Sequence, residues 1–114
     1  MSSESFTSQP GKRLRIFLDE AQEWRGKALY RVIVEELYRH GIMGATIIRG
    51  IEGFGPAHHL LTDRFPDIAD NLPLIIDVVD SHERLQSVLP VLDRLLQYGT
   101  MTLTTVEILS KKEP

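Results

Sequence analysis

Residues 72–99 read LPLIIDVVDSHERLQSVLPVLDRLLQYG. The first part, Leu74-Ile75-Ile76-Asp77-Val78-Val79, is rich in β-branched side chains and predicts a strand. Asp80, with Glu83 three residues on, fits a variant of the capping box and opens a helix. Leu85, Val88, Leu89, Leu92, Leu95 and Leu96 then keep helical spacing through Tyr98 and Gly99. Pro90 removes one backbone bond and predicts a kink, yet the apolar stripe passes it without a change of phase. A last strand follows over residues 102–109, with LTTVEIL as its core.

The same order stands upstream. Leu14, Ile16 and Leu18 alternate with Arg15 and Phe17, a strand signature. A charged turn, Asp19 to Arg25, leads into GKALYRVIVEELYRHG. There Leu29, Val32, Ile33 and Leu37 form one stripe, widened by Ala28, Tyr30, Val34 and Tyr38. No capping residue marks its start, but Gly41 after Arg39 and His40 marks its end. Residues 45–49, ATIIR, read as the next strand. The order strand, helix, strand, strand, helix, strand predicts an α+β, ferredoxin-like βαββαβ domain, an antiparallel sheet with two helices on one face. The repeat lies in the order of elements, not in matching residues.

The 114 residues make one domain, expected over residues 12–110. The polar MSSESFTSQPG start reads as a flexible tail over residues 1–11, and residues 111–114 as a short C-terminal tail. A chain this small has little room for a deep pocket, so a cleft between subunits is the natural place for a ligand. Thirteen Lys+Arg against 16 Asp+Glu give a net charge of −3, which argues against nucleic acid as a partner. With no cysteine there is no disulfide, thiolate metal site or cysteine nucleophile. No run approaches a membrane span and the start has no apolar signal region, so the expected location is the cytoplasm.

Two features go beyond the bare fold. The 74–79 strand is apolar on both alternations, and Phe17 opposes the Leu14/Ile16/Leu18 face, so the uncovered face is expected to be buried against other copies. The alternative is a half-exposed face on a small monomer. The connection from Gly50 to Asn71 is long for this fold and predicts a functional loop, partly helical around Leu60 to Phe65. The alternative is a solvated loop with nothing to bind.

Gly50, Gly53 and Gly55 could turn backbone N–H groups toward an anion, with Arg49 adding charge, or could simply shape a tight loop. The spacing matches neither a P-loop nor the dinucleotide fingerprint. His58 and His59 are adjacent and point apart in extended chain, so a metal would need His40, His82 or another subunit, and solvated histidines are the plainer reading. Asp77 inside an apolar strand needs a partner, for which Arg49 on the adjoining strand is the candidate. There is no nucleophile elbow, no HExxH and no divided carboxylate pair, so no catalytic residue is assigned. Asp19-Glu20 after the first strand disfavours an acylphosphatase-like site. The 74–79 strand lacks the aromatics of an RNA-recognition sheet.

The runs HGIMGATIIRGIEGFG, LPLIIDVVDS and YGTMTL, within residues 13–109, strongly resemble domain-of-unknown-function family 190, itself similar to the PII signal-transduction proteins. The resemblance implies a PII-like homotrimer whose intersubunit clefts hold a small ligand, an adenine nucleotide in PII. It also implies a long loop that docks on a regulated target protein, a membrane transporter or an enzyme. Carried over by residue, it implies ligand contacts at Gly44, Thr46, Gly53, Phe54 and Gly55; Arg49 and His58, which the resemblance does not supply, are expected to tune the same cleft. Thr46 falls near the adenine of PII, and Gly53-Phe54-Gly55 near the phosphates. The match is partial. Pro56, Ala57 and His58 replace the Arg, Gln and Lys that serve phosphate and magnesium in PII, and Gly99-Thr100-Met101-Thr102 is too short for its second phosphate loop. Magnesium-ATP and 2-oxoglutarate are therefore not implied. The residues alone leave two alternatives: a metal-binding trimer using His58 or His59, and a small-molecule enzyme with an intersubunit site.

Overall fold

A computed structural model of the chain describes residues 5–64 and 71–111. In chain order it comprises β1 (Thr7–Asp19), a ribbon of β2 (Glu23–Trp24) and β3 (Lys27–Ala28), and α1 (Leu29–Arg39). Then come β4 (Gly44–Arg49), a ribbon of β5 (Glu52–Gly53) and β6 (Leu61–Thr62), β7 (Pro73–Asp80), α2 (His82–Leu95) and β8 (Thr100–Ser110). The four long strands form one sheet in the order β4-β7-β1-β8, every neighbour antiparallel. This is the ferredoxin-like βαββαβ arrangement expected from the sequence.

Strand parity chooses the core. Leu14, Ile16 and Leu18 of β1 and Leu74, Ile76 and Val78 of β7 are buried beneath Leu29, Ile33 and Leu37 of α1 and Leu85, Val88, Leu92 and Leu95 of α2. Burying such aliphatic side chains stabilises the fold by roughly 1.5–3 kcal/mol each. Helix α1 has no side-chain cap, and Leu29 N–H instead donates to the Gln22 carbonyl at 2.9 Å. It ends in a Schellman motif. Gly41 sits at φ 72, its N–H donates to Tyr38 O, and Ile42 N–H donates to Leu37 O.

Four sequence expectations shift. Strand β1 starts at Thr7, inside the stretch read as a tail, because residues 7–11 pair with residues 106–110 of β8 in a ribbon that runs past the end of β7. Helix α2 is capped by Ser81, whose hydroxyl accepts from Arg84 N–H at 3.2 Å, and not by Asp80. Asp80 completes the inward series 74, 76, 78, 80, where its carboxylate is buried and accepts from Met43 N–H at 2.8 Å and Ser81 N–H at 2.6 Å. The helix passes through Pro90 as one element but stops at Leu95, short of Gly99, as Leu96 turns extended toward β8. The connection after β4 is a hairpin with a two-residue ladder, Leu61–Thr62 being strand where partial helix was expected; Phe65 lies outside the described residues.

The uncovered face is more polar than β7 alone suggests. Register aligns Ile48, Ile75, Phe17 and Thr100 in one row across the sheet, Thr46, Asp77, Arg15 and Thr102 in the next, and Gly44, Val79, Arg13 and Thr104 in a third. An apolar end therefore adjoins a charged and hydroxylated centre. Among the described residues no helix is long and apolar enough to cross a membrane.

Candidate ligand-binding site

Strand β4 is an edge of the sheet and all six of its residues are exposed. Gly44 and Thr46 point to the open face, opposite Val79 and Asp77. Arg49, three residues beyond Thr46, falls on the other face. It therefore does not pair with Asp77, which takes Arg15 at 3.6 Å instead. Arg49 Nε and Nη2 both donate to Glu20 Oε1, at 3.2 and 2.9 Å, and the same oxygen accepts from Leu72 N–H. This clamp ties the end of β4 to the start of β7. Glu20 was legible in the sequence only as an obstacle to phosphate.

The three loop glycines serve different ends. Gly50 N–H donates to Pro73 O at 2.7 Å, and a side chain there would stand 3.0 Å from Pro73 Cγ and 3.3 Å from its carbonyl oxygen. Gly50 is thus explained by close backbone approach. Among the described residues Gly53 has only an ordinary 3.5 Å neighbour for a Cβ, and Gly55, like Gly44, has nothing within 4 Å. None of these three has a left-handed φ. Packing among the described residues gives no reason for glycine at 44, 53 or 55.

The hairpin gathers Gly53, Phe54, Gly55 and His58. A turn closes through His58 N–H to Gly55 O at 2.8 Å, with His58 itself at φ 60. The rings of His58 and Phe54 lie 5.2 Å apart and tilted, and Phe54 remains 63% exposed. Among the described residues no three His, Asp or Glu side chains converge as a metal site. His40, considered as a further ligand, has Nδ1 2.7 Å from its own helix carbonyl at Glu36.

A network that the sequence does not announce holds the hairpin base. Glu52 Oε1 accepts from Thr62 Oγ1 at 2.8 Å and pairs with Arg64 Nε at 2.6 Å, while Arg64 N–H donates to Thr62 Oγ1 at 3.1 Å. The Thr62 hydrogen bond, and then the Arg64 charge, hold the Glu52 carboxyl below the ordinary value of 4.5, against an opposing desolvation. A carboxylate with a lowered folded pKa adds stability above its unfolded pKa and loses it as pH falls through the folded one. The hairpin should therefore loosen as pH falls below 4.5, seen as a falling protection factor (exchange corrected for the intrinsic rate at each pH) for the Asp63 amide, whose N–H donates to Ile51 O. Thr62→Val should move that loosening to higher pH. A protection factor at Asp63 that stays constant from neutral to acid would contradict this.

Three comparisons with known proteins agree. The model of the DUF190 family, described as an uncharacterized ACR, matches residues 11–108. A UPF0166 protein of Methanocaldococcus jannaschii is 36% identical over 94 residues, 82% of this chain and 86% of that protein. One of Aquifex aeolicus is 29% identical over 98 residues, 86% and 92% of the two chains. Among solved structures, CPII, a nitrogen regulatory PII-like protein from Thiomonas intermedia bound to ADP, AMP and bicarbonate, superposes with TM-score 0.64. It has 19% identity and covers 93% of this chain and 92% of its own. A PII-like signaling protein of Thermus thermophilus gives TM-score 0.59 at 19% identity, covering 91% and 92%. At such identities the structures bear on fold alone.

Proposed function

The chain belongs to the DUF190 family, and from that premise we propose that it is a PII-like regulatory protein, not an enzyme. In this reading it forms a homotrimer, binds an adenine nucleotide between subunits, and reports occupancy to a target protein through the connection over residues 50–71. The observation that carries the proposal is the room left at Gly44, Gly53 and Gly55, where neither backbone conformation nor packing among the described residues calls for glycine. Glycine at such positions lets a backbone approach something outside its own chain, and free N–H groups suit phosphate oxygens. Thr46 adds a hydroxyl on the exposed edge, and Phe54 with His58 adds a ring surface for a base or ribose. The ADP and AMP bound by the Thiomonas protein support an adenine nucleotide as the ligand class. Arg49, held by Glu20, acts in this reading on the hairpin's position and supplies little free charge.

Isothermal titration with ATP, ADP, AMP and cyclic dinucleotides tests it. One of the adenine nucleotides should bind saturably, and Gly55→Val should weaken it by about tenfold or more, since a side chain would occupy the approach to the backbone. The fold should hold, because a Cβ at 55 meets no described residue within 4 Å. No heat with any of these nucleotides would sink the nucleotide reading.

A further inference from the structure

The open face of the sheet holds charge that the nucleotide reading does not use. Arg13 and Arg15 of β1 project there beside Asp77 of β7, and Thr104 and Thr102 of β8 lie directly opposite them. Arg15 Nη2 is 3.6 Å from Asp77 Oδ2, long for an ion pair, with side chains 35% and 23% exposed. The Nε atoms of both arginines and Asp77 Oδ1 are buried with no hydrogen-bond partner among the described residues. Arg13 has no ion pair with any described residue. Two guanidiniums against one carboxylate leave a half-buried positive charge in a chain whose net charge is −3. Removing such groups from water without partners costs free energy that an oxyanion can offset.

The sheet supplies the geometry for one. Directly paired residues stand about 5 Å apart at Cβ, and alternate residues along a strand about 7 Å. Arg13, Arg15, Thr102 and Thr104 thus occupy the corners of one small quadrilateral, two planar donor forks along one side and two hydroxyls along the other. Guanidinium forks match the paired oxygens of phosphate and carboxylate, and hydroxyls serve the remaining lone pairs. We propose that Arg13, Arg15, Thr102 and Thr104 form a binding site for a small oxyanion, inorganic phosphate or a compact carboxylate, separate from the β4 edge and its hairpin. On the trimer reading above, open faces turned toward one another would bring six guanidiniums against three carboxylates. Bound oxyanion would then also favour assembly.

The test is calorimetric titration and thermal unfolding with inorganic phosphate, and in a second arm with citrate, against sodium chloride at equal ionic strength. Phosphate or citrate should bind saturably and raise Tm beyond the chloride control. Arg13→Gln should weaken binding about tenfold or more, Thr104→Val less, and Arg13→Lys should recover only part. Adenine nucleotide binding should be unchanged in Arg13→Gln. No binding of either anion to the wild-type chain overturns the proposal. So does equal binding by the wild type, Arg13→Gln and Thr104→Val, which would place the anion elsewhere. Loss of assembly in Arg13→Gln without anion binding by the wild type would give this face to a second copy and also overturn it. Arg13-dependent phosphate binding by a monomer would leave this inference standing while the trimer reading fails.

Discussion

Ile76→Ala should lower the unfolding free energy by about 2–5 kcal/mol, read as a fall in the urea midpoint at unchanged slope. Ile76 is fully buried, and its cross-strand partners on either side are Ile16 and Ile47. Truncation removes the transfer gain and leaves a cavity between sheet and helices that the two central strands cannot close. Its neighbour Ile75 is the control. It lies on the open face and is only half-buried, so Ile75→Ala should cost an isolated chain well under half as much. If the open faces meet in an assembly, the Ile75→Ala loss should grow with protein concentration, since assembly then contributes to stability. Equal losses at 75 and 76, independent of concentration, would contradict the assigned face.

Gly11→Ala should destabilise by about 1–3 kcal/mol, although alanine is the smallest possible addition. A Cβ at 11 would collide with Ile108 Cδ1 and stand 2.9 Å from the Asp80 carbonyl oxygen. Ile108, on the paired strand, lies across the glycine and is only 8% exposed in consequence. Ile108→Ala in the same chain should recover part of the loss, because it removes the side-chain clash and leaves the backbone one. Full recovery, or no loss in Gly11→Ala, would show that residues 7–11 do not hold the paired position. Either result would restore them to the tail that their composition suggests.

These two cases show what the sequence could and could not convey. The stripe Leu29, Ile33 and Leu37 and the stop at Gly41 are local patterns, and the structure reproduces them because burial follows the same period. The order of strands and helices was equally legible. The first half of β1 was not, since a two-stranded ribbon exposed on both sides needs no apolar alternation, and Thr7-Ser8-Gln9-Pro10 carries none. The cap of α2 was misplaced by one residue because Asp80 and Ser81 are both capping types, and only strand parity assigns Asp80 inward. The Arg49–Asp77 pairing failed for the same reason: register set Thr46, not Arg49, opposite Asp77.

At the site, the special glycines were visible as a group but not distinguishable from one another. Structure separates Gly50, explained by its approach to Pro73, from Gly44, Gly53 and Gly55, which the described residues do not explain. The Glu52–Thr62–Arg64 network joins residues ten and twelve positions apart across an unpatterned loop, and no periodicity points to it. The open-face arginines were visible only as the polar half of an alternation. Their meaning depends on which strands lie beside β1, and topology alone supplies that.

Native mass spectrometry with and without ADP tests the central claim most directly. The account predicts an assembly of three times the 13.0 kDa chain mass that takes up ADP, with occupancy falling in Gly55→Val while the assembly persists. A monomer that binds no nucleotide, or a trimer whose ADP uptake is indifferent to Gly55→Val, would contradict it.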